Sequence, residues 1–521
     1  MENSEKKTYE ELLQEIASLK EDVMALKQDN LRLEEKLRRA MRRIFGSNSE
    51  HVARDGDLAE QLSFLFNEPE VTADEEKTVT VKEHQRKERK SGSLEDILPE
   101  DAPVTVVEHH PEETKCPECG SEMVPIGKEV QRTLILVPAH YEVREDRYYK
   151  YACMNCKENE TSTPITEAAR QPSLIPGGYA SAEAVAEIAF EKFVMATPLY
   201  RQEQEWNRQG LKLSRQTMSN WLLMCAKQYL EPIREELHRR LLKQDIVHAD
   251  ETPVQVLQEP GKKATSKSYM WLYMTGRHAE EQIVLYHYNS SRSAAEPIKF
   301  MEGYRGYFQT DGYAAYKSIP NVTQVGCLAH ARRGFTDALN GMRPEERSGT
   351  AAEEGFSRIE KILLTDKQFA GLSAEERQQK RAEEVKPLLD ELFAWANSTQ
   401  VLNKSKTGEA VAYVKKQRIS FENALKDGRL ELTNNRAERS IKPFVMGRKN
   451  WLFCNTPSGA DAAAVYYSLI ETARANGLSP YEYLKYVLKS APGLDLKKPA
   501  ALETLMPWNA PAICKAGSAE N

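Results

Sequence analysis

Three acidic residues stand in contexts where a carboxylate has chemistry to do. Asp250 falls inside the β-rich run IVHADETPVQVL, Asp311 ends the run RGYFQTD, and Gly312 after it marks a turn. Glu438 lies in ELTNNRAERSIKPFVMGRKNWLF, three residues before Ile441, in a predicted helix that Asn434 or Asn435 could cap. From Arg429 to Asn450 there are six Lys/Arg against two Glu, a local net of +4. A buried carboxylate in so basic a segment needs a reason. Holding a hard divalent cation beside a phosphate supplies one, because Mg²⁺ takes a few carboxylates together with substrate oxygens. Among 78 acidic residues, spacing alone does not single out these three. Their flanking residues do.

A second set carries metal chemistry of another kind. Cys116-Pro-Glu-Cys119-Gly and Cys153-Met-Asn-Cys156 enclose 33 residues between them. Two thiolates spaced C-x-x-C can share one tetrahedral ion across a tight turn, which Gly120 permits. The segment between alternates (Val130, Arg132, Leu134, Leu136, then Tyr141 and Val143) around Pro138, as a β-hairpin does. A four-cysteine zinc ribbon is expected, with Zn²⁺ in a structural role because four thiolates leave no open position. Cys225, Cys327, Cys454 and Cys514 read as ordinary reduced thiols.

Other segments must position these groups. Residues 9–44 repeat with an apolar period of 3.5: Tyr9, Ile16, Val23, Asn30, Leu37 and Ile44 at position a, and Leu12, Leu19, Leu26, Leu33 and Ala40 at position d. β-Branched residues at a with Leu at d favour a parallel two-stranded coil, and a lone Asn at a fixes its register. The seam Leu12, Ile16, Leu19, Val23, Leu26, Asn30, Leu33, Leu37 is therefore expected to dimerise the chain. Lys36, Arg38, Arg39, Arg42 and Arg43 crowd the end of this helix and either complement its dipole or touch phosphate. After Pro176-Gly177-Gly178 comes a helical stretch in which Gly210 breaks one helix and Ser214 can cap the next. That outline is either a plain helical hairpin or a helix-turn-helix. On the second reading Arg215, Gln216 and Asn220 face DNA and Trp221 anchors the core.

From Ile246 the pattern changes to strands, with YMWLYMTGR and EQIVLYHY forming a meander and VTQVGCLAHARRGF running from a short strand into a basic helix. Strands followed by helices suggest an α/β core layered on a sheet. The expected organisation is a zipper over 1–46, a flexible linker over 47–105, the zinc ribbon over 106–165 and a helical DNA-binding region over 166–244. An α/β pattern follows from 245, and residues 341–428 are charged and helical in period. Helices and a Pro/Ala-rich tail close the chain over 459–521, with 491–521 expected to carry little structure.

The chain has 521 residues, a net charge of −6, 40% hydrophobic residues and a mean hydropathy of −0.62. No apolar run approaches the roughly 20 residues that span a bilayer, and the N-terminal MENSEKKTYEELLQEI is charged where a secretory leader is apolar. Membrane and secreted classes are thereby disfavoured, and the cytoplasm is the expected location. Eight cysteines are too few for a disulfide scaffold in a chain of this length.

The sequence resembles the insertion-sequence-66 family of transposases, large DDE subunit. The residues that carry the resemblance are HADETPVQVL (248–257), TDGYAAY (310–316), Cys327 and His330 of GCLAHARRGF, NNRAERSIKPF (434–444), GRKNWLF (447–453) and SLIETARANGLSPYEYLKYVL (468–488). PLYRQE (198–203), the cysteine pairs, the zipper and FGSNSE extend it over nearly the whole chain. Departures are local: Lys442 stands where an Arg is expected, and CNTPSG (454–459) replaces a shorter Gly-Ser turn.

The resemblance implies a ribonuclease-H-like catalytic domain with Asp250, Asp311 and Glu438 as the acidic trio holding Mg²⁺ or Mn²⁺. It implies metal-dependent cleavage at transposon ends and strand transfer into target DNA, with small accessory proteins encoded alongside. The 127 positions between Asp311 and Glu438 exceed what a minimal core of this kind needs, so the core is expected in two parts, 245–340 and 429–458, around a helical insertion at 341–428. Arg332, Arg333, Arg436, Arg439, Lys442, Arg448 and Lys449 are candidate DNA contacts. Cys327 and His330 either anchor the sheet to the basic helix or place a hydrogen-bond donor near the scissile phosphate. Two rival readings keep parts of this picture: a non-catalytic DNA-binding regulator of transposition, and a ribonuclease-H-like nuclease with another substrate.

Overall fold

A computed structural model describes residues 141–147, 150–152, 165–167 and 172–517. The zipper, the linker and all four C-x-x-C cysteines lie outside the described residues. Strands β1 (Lys150–Ala152) and β2 (Ile165–Glu167) pair antiparallel, Lys150 opposite Glu167.

Four helices follow. Ser181 caps α1 (Ala182–Phe193) by accepting from the Ala184 N–H at 3.0 Å, and α2 spans Leu199–Arg208. After Gly210, at φ +88°, Ser214 caps α3 (Arg215–Cys225) through the Thr217 N–H at 3.1 Å. A single π-helical stretch, Ala226–Leu230, joins α3 to α4 (Glu231–Leu241). It ends two residues before Pro232. Proline has no N–H to donate, and its ring crowds the carbonyl one turn back, so a locally widened turn relieves both problems.

A five-stranded sheet forms the centre. Its strands are β3 (Ile246–Gln255), β4 (Lys267–Thr275), β5 (Val284–Asn289), β6 (Tyr307–Gln309) and β7 (Thr323–Val325), in the order β5-β4-β3-β6-β7. β3, β4 and β5 form the antiparallel meander, and helix α5 (Ala295–Phe300) leads toward β6. β6 and β7 then run parallel to β3, with His248 opposite Gln309 and Gln309 opposite Val325.

Beyond β7 the chain is helical: α6 (Leu328–Leu339), α7 (Ala351–Lys367), α8 (Ala374–Lys380), α9 (Lys386–Ser398), α10 (Lys406–Lys416) and α11 (Arg418–Asn423). A second π-helical stretch, Arg381–Val385, joins α8 to α9 and again ends two residues before a proline, Pro387. Phe335, Ile359, Ile362, Leu392 and Val414 form one core from α6, α7, α9 and α10. Arg381, almost fully buried, clamps this block to the main chain by pairing with Asp366 at 2.6 Å and donating to the Leu430 carbonyl at 2.8 Å.

The chain then returns to the sheet through α12 (Asn435–Trp451), α13 (Pro457–Ala475) and α14 (Pro480–Ser490). These join α1, α3 and α4 in a second core that includes Leu222, Ile233, Trp271, Tyr286, Phe444 and Tyr467. Helix α13 occupies the free edge of β5. Thr472 Oγ1 accepts from the Val284 N–H at 3.0 Å and donates to its carbonyl at 2.9 Å. Ser468 Oγ accepts from the Tyr286 N–H at 2.8 Å and shares its own proton between the Ala464 carbonyl at 2.7 Å and the Tyr286 carbonyl at 3.3 Å. Two hydroxyls one helical turn apart thus satisfy an edge that otherwise offers unpaired backbone groups.

The end of the chain departs from expectation. Residues 491–517 hold a short helix, α15 (Pro499–Thr504), and several 3₁₀ turns, and they pack down: Leu505, Met506 and Cys514 are fully buried. Leu502, Leu505 and Met506 supply an apolar face whose burial outweighs the Pro/Ala-rich composition. Among the described residues no helix is long and apolar enough to cross a membrane.

Candidate active site

The parallel strands bring the carboxylates together. His248 on β3 is opposite Gln309 on β6. Asp250 lies two residues further along β3, and Asp311 lies two residues past Gln309, just beyond the end of β6. β6 stops pairing at Gln309, so Asp311 leaves the sheet in a turn, whereas β3 continues beside β4 to Gln255. Crevices of this kind, outside the carboxyl ends of parallel strands, are where α/β folds place ligands.

The Asp311 turn is tightly determined. Asp311 Oδ1 accepts from the Tyr313 N–H at 2.8 Å, and the Asp311 carbonyl accepts from the Tyr413 hydroxyl at 2.6 Å. Gly312 sits at φ +85°, where a Cβ would lie 1.9 Å from Gln417 Nε2. Only glycine meets both conditions.

Glu438 arrives from the first turn of α12. Arg333 Nη2 donates to its Oε2 at 3.0 Å, and His330 Nδ1 stands 3.5 Å from its Oε1. Both His330 Nδ1 and Glu438 Oε1 are buried without a hydrogen-bond partner. Burial lowers the His330 pKa, against the pull of the Glu438 carboxylate. Among the described residues, the ligand atoms that fall within 4.8 Å of one another are those of Cys327, His330 and Glu438. Glu438 is therefore held on the side of α6 rather than clustered tightly with the two aspartates.

Asn434 fastens this corner. It is fully buried at the start of α12, and its side chain does not cap the helix. Instead its Oδ1 meets His248 Nδ1 at 3.0 Å, its Nδ2 donates to the Ala249 carbonyl at 2.9 Å, and its backbone N–H donates to Cys327 Sγ at 3.1 Å. The expectation of an Asn434 cap is corrected: an amide that can serve three elements at once is used for that. Cys327 anchors the start of α6 to α12, and burial pushes its thiol up to about 12.

The electrostatics follow from crowding. Burial first, then the charges of Glu251, Asp311 and Glu438, hold the Asp250 carboxyl well above the ordinary range; the Glu251 N–H, donating to Asp250 Oδ1 at 2.9 Å, opposes them. A cation placed beside Asp250 would relieve both burial and repulsion. The neighbouring carboxylate was not anticipated. Glu251 points to the opposite face of β3, as strand alternation requires, where it pairs with Arg292 and accepts from the Tyr316 hydroxyl at 2.5 Å. The doublet Asp250-Glu251 carried that signal.

The candidate DNA contacts divide. Lys442 lies one turn after Glu438 on α12; burial brings its ammonium down to about 8, partly offset by Glu438. Arg448 Nη1 donates to Thr252 Oγ1 at 3.3 Å, two residues beyond Asp250 on the same face of β3, and Lys449 next to it is exposed. Arg332 faces away from Arg333 and pairs with Glu360 on α7 at 2.6 Å. Arg436 and Arg439 project to the side of α12 remote from Glu438. Arg215, Gln216 and Asn220 are exposed on α3, with Gln216 Nε2 donating to Asn220 Oδ1 at 3.0 Å, while Trp221 is buried against the Tyr179 ring.

Comparison with known proteins places this geometry. The family model described as Transposase IS66 family matches residues 177–462, and the IS66 C-terminal element matches 468–508. The zinc-finger binding domain of transposase IS66 matches 113–157, a range that contains Cys116, Cys119, Cys153 and Cys156. A fourth model, Transposase C of IS166 homeodomain, matches 32–107. Among curated relatives, Uncharacterized protein y4hP of Sinorhizobium fredii is 30% identical over 91% of this chain and 87% of its own length. Uncharacterized protein y4jD of the same organism is 30% identical over 79% of this chain and 81% of its own. No solved structure matches.

Proposed function

The chain belongs to the IS66 transposase family, and from that premise we propose that it cleaves DNA at transposon ends and joins the freed 3′ ends to target DNA. The observation that carries this reading is that Asp250 on β3 and Asp311, just past the end of the parallel strand β6, are near enough for the Asp311 charge to act on Asp250, as the Glu438 charge from α12 also does. The strand order β5-β4-β3-β6-β7, three antiparallel strands followed by two parallel ones, supports a ribonuclease-H-like core. On this reading residues 245–340 and 429–458 make the core and the helices of 341–428 are its insertion.

The donor set suits a hard divalent cation: Asp250 is crowded by like charges, and Glu438 Oε1 is buried with no hydrogen-bond partner. When bound, a pair of Mg²⁺ or Mn²⁺ ions held by Asp250, Asp311 and Glu438 supplies activation of the attacking oxygen and stabilisation of the leaving one in an in-line phosphoryl transfer. The chain's own residues do the positioning. Asn434 fixes the start of α12 against β3, and Tyr413 with Gly312 fixes the Asp311 turn. Arg333 holds the Glu438 carboxylate, while Lys442, Arg448 and Lys449 carry positive charge along α12 for the DNA backbone. Water or a 3′-hydroxyl serves as nucleophile, so no protein nucleophile is required. The four C-x-x-C cysteines are assigned to a structural Zn²⁺. The zipper is assigned to dimerisation, so that two DNA ends are presented together, and Arg215, Gln216 and Asn220 are assigned to DNA contact.

The test uses the purified full chain and a duplex carrying the element's own end, with Mg²⁺. Asp250→Asn removes a charge while keeping the side chain's shape, so it abolishes cleavage and strand transfer while DNA binding persists. Strand transfer retained by the Asp250→Asn protein would sink the assignment.

A further inference from the structure

On the side of α12 remote from Glu438 there is a cleft of about 530 Å³ between α12, the end of α13 and the β4–β5 connection. Four arginines from three elements line it: Arg277 after β4, Arg436 and Arg439 on α12, and Arg474 on α13. At 100° per residue, Arg436 lies about 160° around the helix from Glu438, so this is not the carboxylate site. Its one carboxylate, Glu471, is already paired with Arg474 at 3.0 Å. Arg277 and Arg439 are exposed, with no carboxylate partner among the described residues. Arg436 is half-buried; it donates to Gln282, and its Nε is buried without a partner. Burial, then the charges of Arg277 and Arg439, hold its pKa below the ordinary arginine value, against the opposing pull of Glu431. Converging guanidinium groups with unspent donors are suited to a phosphate, which their planar forks grip through paired hydrogen bonds.

We propose that this cleft holds a phosphate of the DNA backbone other than the one presented to Asp250 and Asp311. The inference rests on the reading of the chain as a DNA-processing enzyme. The two sites are separated by one helix, about 10 Å across. At 3.4 Å of rise per nucleotide, a strand that passes around the helix needs at least about three nucleotides to reach both sites. The cleft then fixes the register of the strand whose phosphate a few nucleotides away reaches the carboxylates.

The test measures binding of an end-bearing duplex by fluorescence anisotropy across a salt series. Full-length Asp250→Asn protein is compared with the same protein also carrying Arg277→Ala and Arg439→Ala. The substituted side chains are exposed, and a melting curve checks the fold. The expected result is a loss of ~10-fold in affinity and a fall of about 1.8 in the slope of log K against log salt. Arg277→Lys with Arg439→Lys keeps the slope and loses part of the affinity, because charge survives and the fork does not. Equal affinity and slope in parent and double-alanine variant overturn the cleft assignment alone. A parent protein that binds no DNA overturns the functional reading and this inference with it. If millimolar inorganic phosphate stabilises the parent and not the variant while DNA affinity stays equal, the cleft takes a free oxyanion, and the proposal is again overturned.

Discussion

A side chain at position 312 meets two obstacles at once, and both bear on Asp311. The backbone there has φ +85°, and an added Cβ lies 1.9 Å from Gln417 Nε2. Gly312→Ala must therefore shift the turn that aims Asp311. Since displacements near 1 Å at a reacting centre lower rates about 100-fold, cleavage should fall by roughly that factor. Adding Gln417→Ala removes the overlap but not the backbone strain, so it should restore only part of the rate. Single-turnover cleavage assays decide this, and a Gly312→Ala protein with wild-type rate would contradict the role given to the turn. At this scale the sequence was informative where backbone chemistry is local. The Asp-Gly turn at 311–312 and the Ser214 cap were both legible because each depends on adjacent residues. Arg332 and Arg333 were not separable, since one turns to Glu360 and the other to Glu438 through the helical phase of α6. Asn434 looked like a cap because its three actual partners, His248, Ala249 and Cys327, are more than a hundred positions away.

Elements in this chain meet through a few polar fastenings as well as through apolar cores. The clearest is α13 against β5, where Ser468 and Thr472 replace a neighbouring strand for Val284 and Tyr286. Ser468→Ala with Thr472→Val keeps the volume nearly constant and strands buried backbone groups. At about 1–3 kcal/mol for each of the two stranded N–H groups, the double variant should lose about 2–6 kcal/mol in urea unfolding. A loss below about 0.5 kcal/mol, the range of ordinary surface changes, would mean the hydroxyls do not hold that edge. Nothing in SLIETARANG announces this role: within an amphipathic helix, Ser and Thr read as solvent-facing positions. The meander and the α/β succession were legible from period-2 runs followed by helical periods. The C-terminal packing was not, because a Pro/Ala-rich composition hid the apolar face of Leu502, Leu505 and Met506.

For the molecule as a whole, the family was readable, because HADETPVQVL, TDGYAAY and NNRAERSIKPF carry it, and the same segments hold the three carboxylates proposed as the site. Where these three residues fall required tertiary contacts: β3 beside β6, a turn that takes Asp311 out of the sheet, α12 pinned by Asn434, and an α6 whose Arg333 faces Glu438. The same helix α12 that carries Glu438 on one side turns Arg436 and Arg439 to the other, where they line the arginine cleft. The account's central claim is that this chain performs transposition chemistry with Asp250 in the reacting centre. It is tested most directly by mobilisation of a marked element bearing its native ends, with accessory proteins supplied equally, comparing wild type with Asp250→Asn. The account predicts movement with wild type and none with the variant, at equal protein levels. Equal movement with both proteins would contradict it and assign the chemistry to another enzyme.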